Sequence, residues 1–218
     1  MDSPTPNVCA GPFGAFYDFY IERPWLMRLI GRVLWSIDAS VLYASMQSVE
    51  VADGAVVLDV PCGGGVAFRT LHPGQGVRYV AVDLSEKMLA RARRRATEHS
   101  LSQIEFVMAD MTELPFADGE ADLFLSYSGL HMLSDPERAV QEMGRCLKPG
   151  GRLLGTTFLA EGSRRARMLF GFGHRSGHPL PPRREDLRRW LTEAGMTDLS
   201  IGPQSGFVAF SGRKPASD

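Results

Sequence analysis

Residues 56–65, Val-Val-Leu-Asp-Val-Pro-Cys-Gly-Gly-Gly, decide the fold of this chain. A short apolar run that ends in an acid and then breaks into glycines is typical of a buried parallel strand and the turn that follows it. Gly63, Gly64 and Gly65 lack Cβ atoms where a ligand can approach backbone N–H groups, and a helix predicted from Val66 points its N-terminus at the same place. The stretch therefore predicts a cofactor-binding loop.

The composition is that of an ordinary globular protein. The chain has 218 residues, 44% hydrophobic and 22% charged, with a net charge of −1, which gives no general electrostatic case for nucleic acid. Three separate cysteines without a C-x-x-C pair predict a reducing compartment and no zinc site. The sequence shows neither a signal-like N-terminus nor an apolar run of about 20 residues, so we expect a cytoplasmic protein without a transmembrane segment.

Strand and helix patterns alternate after the glycine loop. The predicted strands are residues 56–60, 77–82, 104–108, 121–126, 152–158, 199–201 and 207–210. Helices are predicted from Val66, after the N-cap Ser85, from Asp135, and around Leu187 to Ala194. This alternation predicts an α/β, Rossmann-like, doubly wound and mostly parallel seven-stranded sheet with helices on both faces.

Two regions flank or interrupt this pattern. We expect residues 1–50 to form an N-terminal helical cap, residues 51–213 the main domain, and residues 214–218 a flexible tail. The aromatic residues between Phe13 and Tyr20 fit either a cap on the sheet edge or a lid over the substrate. Residues 161–182 read as an irregular basic insertion. Residues 161–190 contain eight arginines and three acidic residues, so the region is locally basic. It fits either an entry for an acidic substrate or a plain solvated surface.

Open α/β sheets bind ligands at the carboxyl ends of their strands, where this chain carries Asp59, Asp83, Asp110 and Ser126. A dinucleotide fingerprint would need glycine at position 68, which is Phe68. The carboxylate of Asp59 just before the glycines opposes a pyrophosphate but suits a cationic cofactor. S-adenosylmethionine, which bears a sulfonium and an ammonium but no phosphate, is therefore favoured.

With these residues in place, the sequence resembles the class I S-adenosylmethionine-dependent methyltransferases. It is most similar to the small-molecule group (methyltransferase type 11-like) that includes the ubiquinone/menaquinone-biosynthesis C-methyltransferases. The resemblance extends from about residue 55 to 158 and consists of five motifs in the same order as in the family. The motifs are residues 57–65; Ala81-Val82-Asp83-Leu84-Ser85 with Met88-Leu89; Asp110-Met111 with Leu114-Pro115-Phe116; Asp122-Leu123 with His131; and Leu147-Lys148-Pro149-Gly150-Gly151.

The resemblance implies a role for each matched position. The methionine part of the cofactor would be held by the loop residues Asp59, Gly63, Gly64 and Gly65. Asp83 would accept hydrogen bonds from the two ribose hydroxyls. Leu84 and Met88 would flank the adenine, Asp110 would bind its amine with Met111 nearby, and Ser126 would lie at the methionine end. Pro61 departs from the glycine common in the family and has no N–H to donate.

The implied reaction is methyl transfer to a small molecule, with S-adenosylhomocysteine as product. An N/D-P-P-Y-type motif after the fourth strand is absent, which favours a carbon or oxygen nucleophile or a small amine. The N-terminal aromatic residues and the basic region 161–190 favour an acceptor that is aromatic or lipid-like. A base is needed only if the acceptor loses a proton. His131 is the first candidate, and Tyr17, Tyr127 and His174 come next. His131 is either catalytic or structural.

Three interpretations stay open from the sequence. A small-molecule methyltransferase leads. The second is a non-catalytic module that binds S-adenosylmethionine, and the third is an NAD(P)-dependent oxidoreductase. In each case we expect no metal and no nucleic-acid partner, and either a monomer or a homodimer.

Overall fold

The computed structural model describes residues 40–175, 177–203 and 206–216. Tyr17, the aromatic residues around it and most of the predicted N-terminal cap lie outside the described residues, as does the end of the predicted tail. No helix in the described part of the chain is long and apolar enough to cross a membrane. The cytoplasmic location and the domain boundaries stay predictions.

Seven strands form one sheet, as the sequence predicts. They are β1 (Val56–Asp59), β2 (Arg78–Asp83), β3 (Ile104–Met108), β4 (Ala121–Tyr127), β5 (Leu147–Phe158), β6 (Thr197–Ile201) and β7 (Phe207–Arg213), in the order β3-β2-β1-β4-β5-β7-β6. Strands β1 to β5 are parallel, and β7 runs antiparallel between β5 and β6. The strand order reverses at β1 and β4, so the loops leaving these two strands diverge and open a crevice.

Helices cover both faces of the sheet. The helices are α1 (Ser40–Gln47), α2 (Glu86–Glu98), α3 (Pro136–Cys146), α4 (Arg164–Arg175) and α5 (Arg184–Glu193), with short 3₁₀ helices at Val66–Thr70 and Leu130–Met132. Successive strand residues point to opposite faces, so each strand feeds two cores. Leu58 and Val80 pack with α3 and α5 in one core, whereas Val57 and Ala81 pack with α1 and α2 in the other.

The helix starts follow the predicted capping chemistry. The Ser85 hydroxyl accepts a hydrogen bond from the Met88 N–H, and the Asp135 carboxylate accepts one from the Arg138 N–H, with Pro136 in the first turn of α3. At the end of α5, Gly195 adopts a φ of +79°, as expected for the residue that follows a helix. These contacts fix where α2 and α3 leave the crevice edge of the sheet.

Several predicted boundaries are wrong. The strongest correction concerns residues 161–182, predicted to be irregular, which contain the twelve-residue helix α4. The prediction failed because α4 buries little: Ala166 is its buried residue, so the apolar stripe of a core helix is missing. Leu147 belongs to β5 and not to the preceding helix, since it pairs with Ala121 of β4. Strand β6 begins at Thr197, two residues before the predicted start at 199. Strand β7 ends at Arg213, three residues after the predicted end at 210.

Candidate functional site

The site lies where β1, β2 and β4 end. β1 sits between the other two strands, with Asp59 in register with Ala81 of β2 and Leu125 of β4. The loop that leaves β1 is tied to β2 twice: the Cys62 N–H donates to the Val82 carbonyl at 2.8 Å, and the Gly63 N–H donates to the Asp83 carboxylate at 2.9 Å. The sequence-predicted residues Asp59, Gly63 and Asp83 are therefore brought together.

The glycines of the loop have different roles. Gly63 has a φ of +52°, and a Cβ added there would meet no atom within 4 Å, so its exposed side is open to a ligand. Gly65 has a φ of +79°, and a Cβ there would lie 2.4 Å from the Phe68 ring. Gly65 is thus required for packing, and Gly63 is the glycine that leaves room for an approaching molecule.

Asp83 joins the glycine loop to the start of α2. One carboxylate oxygen accepts the Gly63 N–H, and the other accepts the Ser85 N–H at 2.9 Å. A carboxylate has about four acceptor positions, so each oxygen retains one for a donor such as a hydroxyl. Burial raises the pKa of Asp83, while the two backbone N–H groups work against that rise.

Asp59 is a buried acid, with a relative exposure of 1%. The Tyr79 hydroxyl donates to its carboxylate at 2.8 Å. Burial raises the pKa of Asp59 to about 7, a rise that the Tyr79 hydrogen bond opposes and the negative charge of Asp83 adds to. Because a nearby positive charge favours the ionised form, a cationic ligand at this loop would stabilise the Asp59 carboxylate.

Tyr79 is a site residue that the sequence reasoning missed. The sequence places Tyr79 in the second strand and gives it no role in the site. In the structure its ring is buried against Phe68, with the ring centres 5.6 Å apart, and its hydroxyl donates a hydrogen bond to Asp59. The available signal was its polar tip: a tyrosine inside an otherwise aliphatic buried strand needs a hydrogen-bond partner.

Ser126 of β4 and His131, in the short 3₁₀ helix that follows, form the second wall of the crevice. Ser126 and His131 are buried, and the Ser126 Oγ and His131 Nδ1 atoms have no hydrogen-bond partner among the described residues. Burial lowers the pKa of His131 to about 4, so its imidazole is neutral near pH 7. Buried polar atoms are normally hydrogen-bonded, and two such atoms on one wall indicate a place for a polar ligand group.

An aromatic cluster packs against one side of His131 through the Phe158 ring. Its ring centre lies 4.7 Å from that of Phe158, which in turn lies 4.9 Å from Phe207 and 5.4 Å from Phe170 of α4. We call Phe158, Phe170 and Phe207 the wall rings. They give this side of the crevice an apolar surface beside the neutral imidazole.

The residues predicted to hold the adenine lie along the β2 and β3 ends. Leu84 is 59% exposed, whereas Met88 and Met111 are buried. The Asp110 carboxylate is exposed and accepts from the Thr112 N–H at 2.8 Å and the Thr112 hydroxyl at 2.7 Å, both through Oδ1. Its Oδ2 atom is not used in these bonds, and the predicted adenine contacts stay predictions.

A buried ion pair that was not predicted supports the loop after Asp110. Glu142 of α3, 3% exposed, accepts the Leu114 N–H at 2.9 Å and pairs with Arg145 at 2.7 Å. Arg145 also donates to the carbonyls of Leu114 and Phe116. Glu142 and Arg145 lie 28 to 31 residues along the chain from the loop positions that they bind, so local patterns carry no signal for these contacts.

A cavity of about 270 Å³ lies elsewhere, at the amino ends of β1 and β4. Its lining includes Glu50, Asp122 and Arg152. It opens on the edge of the sheet opposite the glycine loop, so it is separate from the crevice. In the described ranges, no group of three or more His, Cys, Asp or Glu side chains is placed to hold a metal ion; the absence of a metal stays a prediction.

The residues present suit S-adenosylmethionine. Two buried carboxylates, Asp59 and Asp83, lie beside a loop that is open at Gly63. These hydrogen-bond acceptors favour a ligand with positive charge and hydroxyl groups over one with phosphate groups. Phe68 stands at the third glycine position of the dinucleotide fingerprint and is buried against Tyr79. A dinucleotide loop is therefore not formed here.

Comparison with known proteins agrees with this chemistry. Residues 58–155 match the family model described as a methyltransferase domain. Demethylmenaquinone methyltransferase of Paenarthrobacter aurescens is 30% identical over 188 residues, which cover 75% of this chain and 70% of that protein. The chain belongs to the class I S-adenosylmethionine-dependent methyltransferases. S-adenosylmethionine is accordingly the cofactor of this methyltransferase.

One further sequence relative and one solved structure are also similar to this chain. A chloroplastic methyltransferase of Arabidopsis thaliana, itself uncharacterised, is 31% identical over 75% of this chain, and the chain spans about half of that relative, 48%. Phosphoethanolamine N-methyltransferase 2 of Haemonchus contortus, solved with phosphomonomethylethanolamine and S-adenosylhomocysteine, has a TM-score of 0.76 over 99% of this chain and 61% of that chain. At 16% identity it shows that the methyltransferase shares the fold.

Proposed function

We propose that this methyltransferase transfers a methyl group to a carbon or oxygen atom of a small, aromatic or lipid-like acceptor. The observation that carries the acceptor class is the buried, neutral imidazole of His131 against the Phe158 ring, while the buried carboxylates of Asp59 and Asp83 beside the open loop at Gly63 support the cofactor. When bound, S-adenosylmethionine supplies an electrophilic methyl group next to a positive sulfur. The chain's own residues then bind, orient and exclude water, which is the main catalytic contribution that a displacement of this kind needs.

The cofactor residues follow from this placement. Asp59 and the loop residues Gly63, Gly64 and Gly65 hold the methionine part, and Asp83 accepts the ribose hydroxyls with its two remaining acceptor positions. Leu84, Met88, Asp110 and Met111 surround the adenine, and Ser126 directs its hydroxyl toward the methionine end. Each of these assignments is part of the proposal.

The acceptor enters on the wall formed by Ser126, His131 and the wall rings. A neutral imidazole accepts a proton or a hydrogen bond from a hydroxyl on the acceptor. Rings at 4.7–5.4 Å spacing favour an aromatic acceptor stacked beside them. The relative from Paenarthrobacter aurescens is a demethylmenaquinone methyltransferase, and this supports an acceptor of the quinol class.

The test uses labelled S-adenosylmethionine with quinol, phenol, lipid and small-amine acceptors, and the matched variants His131→Phe and Met132→Leu. His131→Phe keeps an aromatic ring against Phe158 but removes the nitrogen, so we expect kcat to fall about 10²–10⁴-fold, with binding of S-adenosylhomocysteine unchanged. Met132→Leu alters the neighbouring residue and keeps wild-type kcat.

Three results separate the alternatives. Unchanged kcat in His131→Phe makes His131 a structural residue. Saturable cofactor binding without transfer to any acceptor supports the non-catalytic module. Methylation of nitrogen acceptors alone contradicts the proposed acceptor class.

A further inference from the structure

Tyr79 and Asp59 form a buried pair at the start of the glycine loop. Tyr79 has a relative exposure of 0% and Asp59 of 1%, and the Tyr79 hydroxyl donates to the Oδ2 atom of the carboxylate at 2.8 Å. The Oδ1 atom of Asp59 accepts no hydrogen bond from the described residues. One carboxylate oxygen is therefore held by Tyr79, and the second is left for a ligand.

Within the described part of the chain, no positively charged side chain pairs with Asp59. The ionisable groups that face this acid are Tyr79 and Asp83 of β2, Cys62 of the glycine loop and Tyr127 of β4. Arg93 of α2 acts on the Cys62 thiol but is paired with Glu86, and helix α1, which packs over the same core, carries no charged residue. A buried carboxylate needs a hydrogen-bond donor or a cation to stay ionised, and here the described donor is the Tyr79 hydroxyl.

Packing fixes the ring that carries this hydroxyl. The Tyr79 ring meets the Phe68 ring edge-on, with the ring centres 5.6 Å apart. Phe68 in turn fills the space that a Cβ on Gly65 would need, since that Cβ would lie 2.4 Å from the Phe68 ring. In a close-packed interior the Tyr79 ring has little room to turn away from Asp59. The direction of the hydroxyl is thus set by the same loop that faces the ligand.

We propose that Tyr79 is a positioning residue for the cofactor: its hydroxyl holds the Asp59 carboxylate ionised and keeps its second oxygen available to the cationic methionine part. This inference rests on the proposed function, which places Asp59 at the methionine part of S-adenosylmethionine. Tyr79 acts through Asp59, and its buried ring makes no contact with the cofactor.

Removing the hydroxyl raises the pH at which Asp59 ionises. Burial is the larger effect and raises the pKa of Asp59 to about 7, and the Tyr79 hydrogen bond opposes that rise. Without this bond the pKa moves further up, so Asp59 stays protonated to a higher pH and a neutral acid attracts a cationic ligand less. The loss of affinity is therefore largest below about pH 7 and shrinks as the pH rises and the variant's carboxylate ionises.

Calorimetric titration with S-adenosylmethionine from about pH 6 to about pH 9 tests this dependence in the wild type and in Tyr79→Phe. The ratio of the two Kd values at each pH cancels the titration of the cofactor's own ammonium group. We expect Tyr79→Phe to bind about tenfold to a hundredfold more weakly at about pH 6, as for the loss of a hydrogen bond to a charged group, with the ratio falling toward one at about pH 9.

Two further variants separate a positioning role from a structural one. Tyr43→Phe also removes a buried hydroxyl and keeps its ring beside the Arg69 guanidinium, 5.1 Å from the ring centre, so its Kd ratio to the wild type should stay near one at each pH. In an Asp59→Asn background, which itself binds more weakly, adding Tyr79→Phe should change the Kd by less than about twofold, because the hydroxyl acts through the carboxylate. Urea unfolding of each variant reports an intact fold.

A Tyr79→Phe variant with wild-type affinity, or with the same fold loss at each pH, overturns the inference, since a purely structural effect does not follow the ionisation of Asp59. If Asp59→Asn weakens binding while Tyr79→Phe gives either of these results, the placement of Asp59 stands and the role of Tyr79 alone is wrong. Wild-type affinity in Asp59→Asn overturns the placement of Asp59, and the inference falls with it.

Discussion

Gly63 and Gly65 share a positive φ but differ in their surroundings, and this difference predicts how each tolerates alanine. Gly63→Ala should cost about 1–2 kcal/mol, the strain of a left-handed non-glycine residue, because its Cβ meets no atom within 4 Å. Gly65→Ala should cost more, since its Cβ would also collide with the buried Phe68 ring. Urea unfolding of the two variants measures both losses. Equal losses would mean that the Phe68 contact does not constrain Gly65.

The buried acid Asp59 predicts a pH-dependent stability. Its pKa is about 7 in the folded protein against an ordinary value of 3.8, so between these values the folded state binds more protons than the unfolded state. The free energy of unfolding therefore falls as pH rises from about 4 to about 7, with Asp59 contributing up to about 4 kcal/mol.

Asp59→Asn isolates this contribution. The variant should lose the part of the decline that comes from Asp59, so the difference between variant and wild type grows from about pH 4 to about pH 7 and is then constant. Urea unfolding across this range checks it. A difference that does not change with pH would show that the Asp59 carboxylate is not held in a buried environment.

At the level of the elements, the helix α3 holds the loop after β3 through Glu142. Glu142→Ala leaves the buried Leu114 N–H without its acceptor and removes one of the two carboxylates that pair with Arg145, the other being Asp118, so we expect a loss of about 1–3 kcal/mol in the free energy of unfolding. Glu105→Ala is the matched control: it breaks an exposed pair with Arg78, for which we expect less than about 1 kcal/mol. Thermal or urea unfolding compares the two. Equal losses would contradict a buried, supporting role for Glu142.

The elements divide into those that leave a local signal and those that do not. β1 and β2 are predictable because a strand buried on both faces is a continuous apolar run, and α2 and α3 are predictable from the cap residues Ser85 and Asp135. Helix α4 escaped prediction because Ala166 is the one buried residue among its twelve, so its sequence carries no continuous core stripe. The periodicity of apolar residues is visible in the sequence. Whether those residues are buried against another element depends on the tertiary packing.

The same distinction holds within the site. The closeness of Asp59, Gly63 and Asp83 was predictable because Asp59 and Asp83 end the neighbouring strands β1 and β2 and Gly63 follows β1. Tyr79 and Glu142 were not, since their roles depend on contacts across 20 and 28 residues of chain. Predicted residues thus came from motifs, and missed residues from the three-dimensional packing around them.

Across the complete fold, the parallel order β3-β2-β1-β4-β5 sets the position of the crevice, and β7 returns antiparallel beside β5. A mostly parallel sheet follows from the strand–helix alternation. The insertion of β7 between β5 and β6 does not, because strand order is a property of long-range pairing. The crevice at β1 and β4 and the wall capped by α4 arise from this order together.

If the crevice binds S-adenosylmethionine through the glycine loop and Asp83, calorimetric titration with S-adenosylhomocysteine and, separately, with NADP will distinguish the two ligands. We predict saturable binding of S-adenosylhomocysteine and none of NADP. Asp83→Ala should weaken binding by about 1.5–3 kcal/mol because it removes hydrogen bonds to a charged group, whereas Asp122→Ala, at the opposite edge of the sheet, should not. Tight binding of NADP alone, or unchanged affinity in Asp83→Ala, would show that the crevice is not the S-adenosylmethionine site described above.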